Sequence, residues 1–141
     1  MTFDKRFIYE KIENIFKYLE ELKKILEFSD EEIISDFTKF YTEERLFQLA
    51  VDAIIDINQK IIKDKELKGY KGDLQGSFYI LGDNKILPSE FAFKVAPIAG
   101  ARNRLVHDYG SFDKELFTRT LRENFSDFEK YIKHIEEFLS K

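Results

Sequence analysis

A chain of 141 residues with a net charge of −4 can bury a core without covalent staples and reads as one domain over residues 1–141. It has no cysteine, which excludes disulfides, thiolate catalysis and Cys-based metal sites and fits a reducing, cytoplasmic setting. The acidic balance is not that of a dedicated nucleic-acid binder, no uncharged apolar run approaches the roughly 20 residues of a membrane span, and the start does not read as a signal peptide.

The first segment, about Phe3 to Phe28, repeats apolar residues by four and three at Ile8, Ile12, Ile15, Leu19, Leu22 and Leu26. That spacing predicts an amphipathic helix with one buried stripe. Ser29-Asp30-Glu31-Glu32 reads as a cap and acidic first turn of a short helix over Glu31–Tyr41. Thr42 is the expected cap of a long third helix reaching about Glu66. Its two apolar rows are Leu46, Ala50, Ala53, Ile57 and Phe47, Val51, Ile54, Ile61. An arc that wide predicts burial on two sides, inside a bundle or against a second subunit.

Residues 67–87 are the loosest stretch and hold Gly69, Gly72, Gly76 and Gly82, read as turn formers around a short helix near Gln75–Leu81. Neither a P-loop nor a Rossmann glycine pattern is present. Ser89 is the expected cap of a fourth helix with the stripe Phe91, Val95, Ile98, Arg102, Leu105, Tyr109. Pro97 inside it removes a backbone hydrogen bond and predicts a bend, and Gly100 weakens the same turn of helix. A last helix opens at Ser111-Phe112-Asp113 and carries Leu121, Phe125, Phe128, Ile132, Ile135 and Leu139. The fold class is all-α: an antiparallel helical bundle of four main helices and one or two short ones.

Chemistry concentrates at the end of the fourth helix. From Phe91 to His107 there is no Asp or Glu, while Lys94, Arg102 and Arg104 are present, so a positive patch that positions an anion is expected. Arg102 stands where the stripe calls for a hydrophobe. It either lays its stem over apolar neighbours, pairs with a third-helix carboxylate such as Asp52 or Asp56, or awaits an anion whose oxygens match its fork. His107 falls in the last turn before Gly110, where the helix dipole favours the imidazolium. It is either a dipole partner or an acid–base group. Five residues separate Arg102 from His107, about 140° around a straight helix, so a distorted helix or a second copy is needed to bring them together. Asn103 and His107 share a face. His134, off the stripe of the last helix, is expected to face solvent. Two distant histidines without ligand spacing argue against a metal held by this chain.

Taken together, Arg102-Asn103-x-x-x-His107-x-Tyr109 resembles the signature of the HEPN superfamily, specifically its HepT-like toxin branch. The helix order, with Glu44-Arg45 opening the third helix and Asp52 and Asp56 further on, is similar over nearly the whole chain. The resemblance implies a metal-independent ribonuclease with no cofactor, whose active site lies between the subunits of a homodimer. It implies His107 as general base or acid toward the RNA 2′-hydroxyl, Arg102 as stabiliser of the phosphorane, and Asn103 in support. It implies a partner too, an MNT-type nucleotidyltransferase antitoxin that transfers AMP from ATP to Tyr109. Two other classes stay open: a non-catalytic HEPN module that binds nucleotide or a nucleotidyltransferase, and a helical scaffold in which Arg102 forms a structural ion pair.

Overall fold

The stripe of the first segment does what its spacing dictates. In the structure, a computed structural model that describes residues 3–107 and 112–141, α1 (Lys5–Ile25) buries Ile8, Ile12, Ile15, Leu19 and Leu22. Each such side chain contributes roughly 1.5–3 kcal/mol of burial. Asp4 caps the helix by accepting from the Phe7 amide. The remaining elements are α2 (Asp30–Ser35), α3 (Phe37–Asp64), α4 (Leu74–Asp83), α5 (Ser89–Val95), α6 (Pro97–His107), α7 (Lys114–Asn124) and α8 (Ser126–Leu139). No strand occurs among the described residues, so the all-α reading stands, with more and shorter helices than its four main ones.

α3 is the central post. Lys11 reaches Asp56, and Asp4 lies beside Asp64 and Lys60, so α1 runs antiparallel to it. The Lys5 ammonium donates to the Leu139 carbonyl and Lys23 pairs with Glu129, which sets α8 antiparallel to α1. Both predicted rows of α3 are covered: Phe47, Ala50, Val51, Ala53, Ile54, Ile57 and Ile61 are buried. The chain itself supplies that cover, through α1, α4, α6 and α8.

Several boundaries differ from the sequence expectation, each for a local reason. The short second helix stops at Asp36, whose carboxylate accepts from the Thr38 and Lys39 amides and starts α3 there. Thr42 is therefore inside α3, its hydroxyl donating to the Thr38 carbonyl. Ser29 does cap α2, in a reciprocal box with Glu32. Gly69 and Gly72 have positive φ and serve as turn residues. Gly76 and Gly82, by contrast, lie inside α4. A Cβ on Gly82 would stand 2.8 Å from the Ala92 Cβ, so glycine is what lets α5 close on α4. Ser89 does not cap the fourth helix; its hydroxyl donates to the Gly82 carbonyl and Pro88 holds the cap position. At the predicted bend the helix is interrupted at Ala96, which itself keeps helical dihedrals (φ −51°, ψ −36°), and Pro97 opens α6 where its missing N–H costs nothing. The last helix is broken at Phe125, just after Asn124 turns its amide onto the Thr120 carbonyl.

One polar network crosses this core. The Tyr131 hydroxyl of α8 donates to Asn58 Oδ1 and the Ile54 carbonyl of α3, and Asn58 donates to Ser77 of α4 at 3.0 Å. Tyr131→Phe keeps the ring but leaves a fully buried amide oxygen without its donor. The expected loss is about 1–3 kcal/mol of unfolding free energy, read from the urea midpoint at unchanged slope; an unshifted midpoint would mean the network adds nothing.

Candidate active site

α6 owes its orientation to alanine and leucine. Ala99 and Leu105 are buried and Ile98 is partly so, and Arg102 falls between them on the arc turned to α3. Its guanidinium does not lie idle over those neighbours. Nε donates to Asp52 Oδ1 at 2.7 Å, and Nη1 donates to Asn103 Oδ1 at 3.3 Å. The Arg102 side chain is 22% exposed and that of Asp52 36%. The ion pair and anion binding are thus compatible: two nitrogens are committed, and Nη2 has no hydrogen-bond partner among the described residues. The amide of Asn103, accepting through its oxygen, carries its N–H donors on the opposite edge.

Of the two carboxylates expected near Arg102, Asp52 meets it and Asp56 does not. Asp56 lies one turn further along α3 and accepts from Lys11 of α1 at 3.0 Å. Lys94, expected to position an anion, is paired with Asp127 of α8 at 3.2 Å. The acid-free stretch from Phe91 to His107 therefore overstates the positive patch, because α8 brings an acid to it. Arg104 is exposed and projects back over α6, so that a Cβ on Gly100 would lie 3.6 Å from its Nη1. His107 closes α6. The roles expected of its imidazole, of Tyr109 and of the Gly110 terminator fall on groups outside the described residues. His134 is not the solvent-facing residue expected: its ring stands 5.0 Å from that of Phe91 and is partly buried. Among the described residues no cluster of His, Asp or Glu has the make-up of a metal site, and no helix is long and apolar enough to cross a membrane.

A cleft of about 510 Å³ opens between α6 and α7, lined by Phe47, Ile98, Ala101, Leu116, Phe117 and Leu121 among others. Its walls are mostly apolar, with Lys94, Arg104, Asp113 and Asp127 also lining it, and Arg102 is not among its lining residues.

Two features escaped the sequence reading. Glu43 is fully buried, although its place in the four-three series Glu43, Phe47, Ala50, Ile54 was a readable signal. The other is a surface set formed by Gln75, Tyr79 and Phe93, which no spacing rule connects because the residues come from two helices.

A family model described as ribonuclease HepT-like matches residues 15–135. The tRNA nuclease HepT of Aphanizomenon flos-aquae is 35% identical over 133 residues, which is 94% of this chain and 89% of that protein. The mRNA nuclease HepT of Shewanella oneidensis is 27% identical over 85 residues, 60% of this chain and 63% of that one. Among solved structures, the tri-AMPylated HEPN toxin of Shewanella oneidensis in complex with an MNT antitoxin superposes with a TM-score of 0.85 at 24% identity, covering 93% of this chain and 97% of that chain. At that identity the likeness speaks for the fold.

Proposed function

The chain belongs to the HepT-like ribonuclease family, and from that premise we propose that it is the toxin of a toxin–antitoxin pair, a metal-independent endoribonuclease. The observation that carries the proposal is the guanidinium of Arg102, fixed on the packing face of α6 by Asp52 and Asn103.

In the reaction, the His107 imidazole takes the proton of an RNA 2′-hydroxyl. The freed oxygen attacks the adjacent phosphorus, the bond to the 5′-oxygen breaks, and that oxygen leaves with a proton. Arg102 faces the extra charge of the phosphorane, the transition-state charge a preorganised cation stabilises best. Asn103 donates to a phosphate oxygen or orients the histidine. Because the substrate carries its own nucleophile, no metal-activated water is required. The angular offset of Arg102 and His107 on one helix is met by a homodimer that sets two copies of α6 across a common cleft.

Control would come through Tyr109. A nucleotidyltransferase of the MNT type catalyses attack of the phenol oxygen on the α-phosphorus of ATP, pyrophosphate leaves, and the tyrosine carries AMP. An anionic adduct on that tyrosine would compete with the RNA phosphate for the Arg102 cation. The tri-AMPylated toxin among the structural relatives supports this route.

The test is cleavage of RNA by the purified protein in EDTA, with 2′,3′-cyclic phosphate and 5′-hydroxyl ends expected. Incubation with the cognate nucleotidyltransferase and ATP is expected to add AMP to the peptide bearing Tyr109 and to stop cleavage. Intact RNA under every condition would favour the non-catalytic module, for which the Arg102–Asp52 ion pair is simply structural.

A further inference from the structure

Phe93 is 70% exposed on α5 while its neighbours Ala92 and Val95 are buried. One side of its ring meets Tyr79 of α4, with centroids 5.6 Å apart and planes tilted by 43°. Tyr79 is held in turn, its hydroxyl accepting from Gln75 Nε2 at 3.0 Å. Gln75 leads on to α6. A Cβ on Gly100 would lie 3.9 Å from Gln75 Oε1 and 3.6 Å from Arg104 Nη1, so amide and guanidinium converge over that glycine. The result is a continuous strip across three helices: Phe93, Tyr79, Gln75, Arg104. It ends on α6, where Arg104 follows Asn103 and stands one turn from Gly100, while Arg102, two residues from each, points away from the strip by about 160°.

We infer that this strip is a stacking platform for an unpaired nucleotide of the RNA that flanks the scissile one, on the face of α6 turned away from Arg102. The inference rests on the ribonuclease reading and adds a substrate contact to it. Single-stranded nucleic acid is held by aromatic faces for the bases and cations for the backbone, and that pairing is what the strip offers. Phe93 presents a ring face with little cover, Tyr79 braces it, and Arg104 supplies the charge complement to a phosphate. Gln75 adds a carbonyl that can read a base edge. The chemistry selects unpaired RNA over duplex, because a stacked base inside a helix cannot reach an aromatic ring on a convex surface. A protein surface seeking the same strip would bury an amide and a guanidinium for one exposed ring, a poor exchange beside the more apolar cleft between α6 and α7.

The experiment uses the full-length protein and a fluorescein-labelled single-stranded oligoribonucleotide. Phe93→Ala is expected to weaken binding and raise KM by roughly 5- to 100-fold, the range for loss of one stacked base, with kcat held near that of the parent chain. Phe93→Trp is expected to restore binding, and affinity for duplex RNA is expected not to move. Tyr79→Phe, which keeps the ring and removes the brace to Gln75, should give an intermediate loss. Unchanged binding by Phe93→Ala overturns the platform, as does a fall in kcat alone. Loss of the dimer on sedimentation, or loss of antitoxin binding with RNA affinity intact, assigns the strip to a protein partner and overturns it too. If the parent chain cuts no RNA, the ribonuclease reading fails by itself, and the binding comparison still decides the platform.

Discussion

His107→Ala is expected to lower single-turnover RNA cleavage by about 10²–10⁴-fold, the usual worth of a positioned acid–base group, while thermal stability and RNA affinity stay near those of the parent. Arg102→Ala is expected to lose about 10²–10³-fold, as for removal of one preorganised donor to a developing oxyanion. The informative comparison is between activity and stability for Arg102. Its partner Asp52 keeps 36% of its side chain exposed, so water can take over when the guanidinium is gone. The fold should then lose no more than about 1 kcal/mol. A large kinetic loss with so small a folding loss separates a reacting cation from a structural ion pair. Arg102→Lys should not rescue cleavage, since an ammonium cannot donate sideways to Asp52 at the Nε position and still present a fork to phosphate. Cleavage rates at saturating RNA and a thermal melt on the same samples decide the matter. Retained activity in His107→Ala removes the imidazole from the mechanism, and a collapse of folding in Arg102→Ala restores the scaffold reading.

Much of this architecture could be read from the chain because its stripes are local. Ile8 to Leu22 are buried at the spacing that predicts them, and Arg102 stood out because it interrupts such a stripe. The choice of Asp52 over Asp56 as its partner was beyond reach. One turn of α3 separates the two, and it is α1, through Lys11, that claims the second. Helix ends were less legible for the same reason. Asp36 and Thr42 are both good caps by composition, and the backbone of the α2–α3 turn decides for Asp36. The glycines of α4 misled because a glycine needed for close approach to Ala92 looks, in sequence, like one needed for a turn. Lys94 misled in the opposite sense: its acid, Asp127, is 33 residues away. The strip from Phe93 to Arg104 has no sequence signature, since it exists only once α4 has docked on α5 and α6.

A second large effect is expected at Glu43, the buried acid of α3. Its Oε2 accepts from the Thr118 hydroxyl of α7 at 3.3 Å, and its Oε1 has no partner among the described residues. Burial pushes its carboxyl up to about 7; the Thr118 hydrogen bond and the charge of Arg122 oppose this, while Asp30 and Glu44 reinforce it. The sign of the linkage follows. Below the unfolded-state value near 4.3 both states hold the proton, and above about 7 neither does. Between those limits the native state binds one more proton than the unfolded chain, so stability falls as pH rises, by about 1.4 kcal/mol per pH unit. Over that window the loss is roughly 4 kcal/mol, and it stays lost at higher pH. Glu32 and Asp36, whose carboxyls are lowered by hydrogen bonds from Ser29 and Lys39, act with the opposite sign at more acid pH and cancel when variant and parent are compared. Glu43→Gln keeps the shape and the Thr118 contact but removes the proton equilibrium. Urea titrations at pH 5, 6, 7 and 8 are therefore expected to show the parent weakening from pH 5 to about 7 and levelling beyond, with the variant markedly flatter, so that the gap opens up to pH 7 and changes little from there to pH 8. Parallel profiles would mean that Glu43 is ionised and solvated in the native state. Because Thr118 pins α7 directly after the segment that carries Tyr109, the same series read by RNA cleavage tests whether the seating of α7 reaches the candidate site.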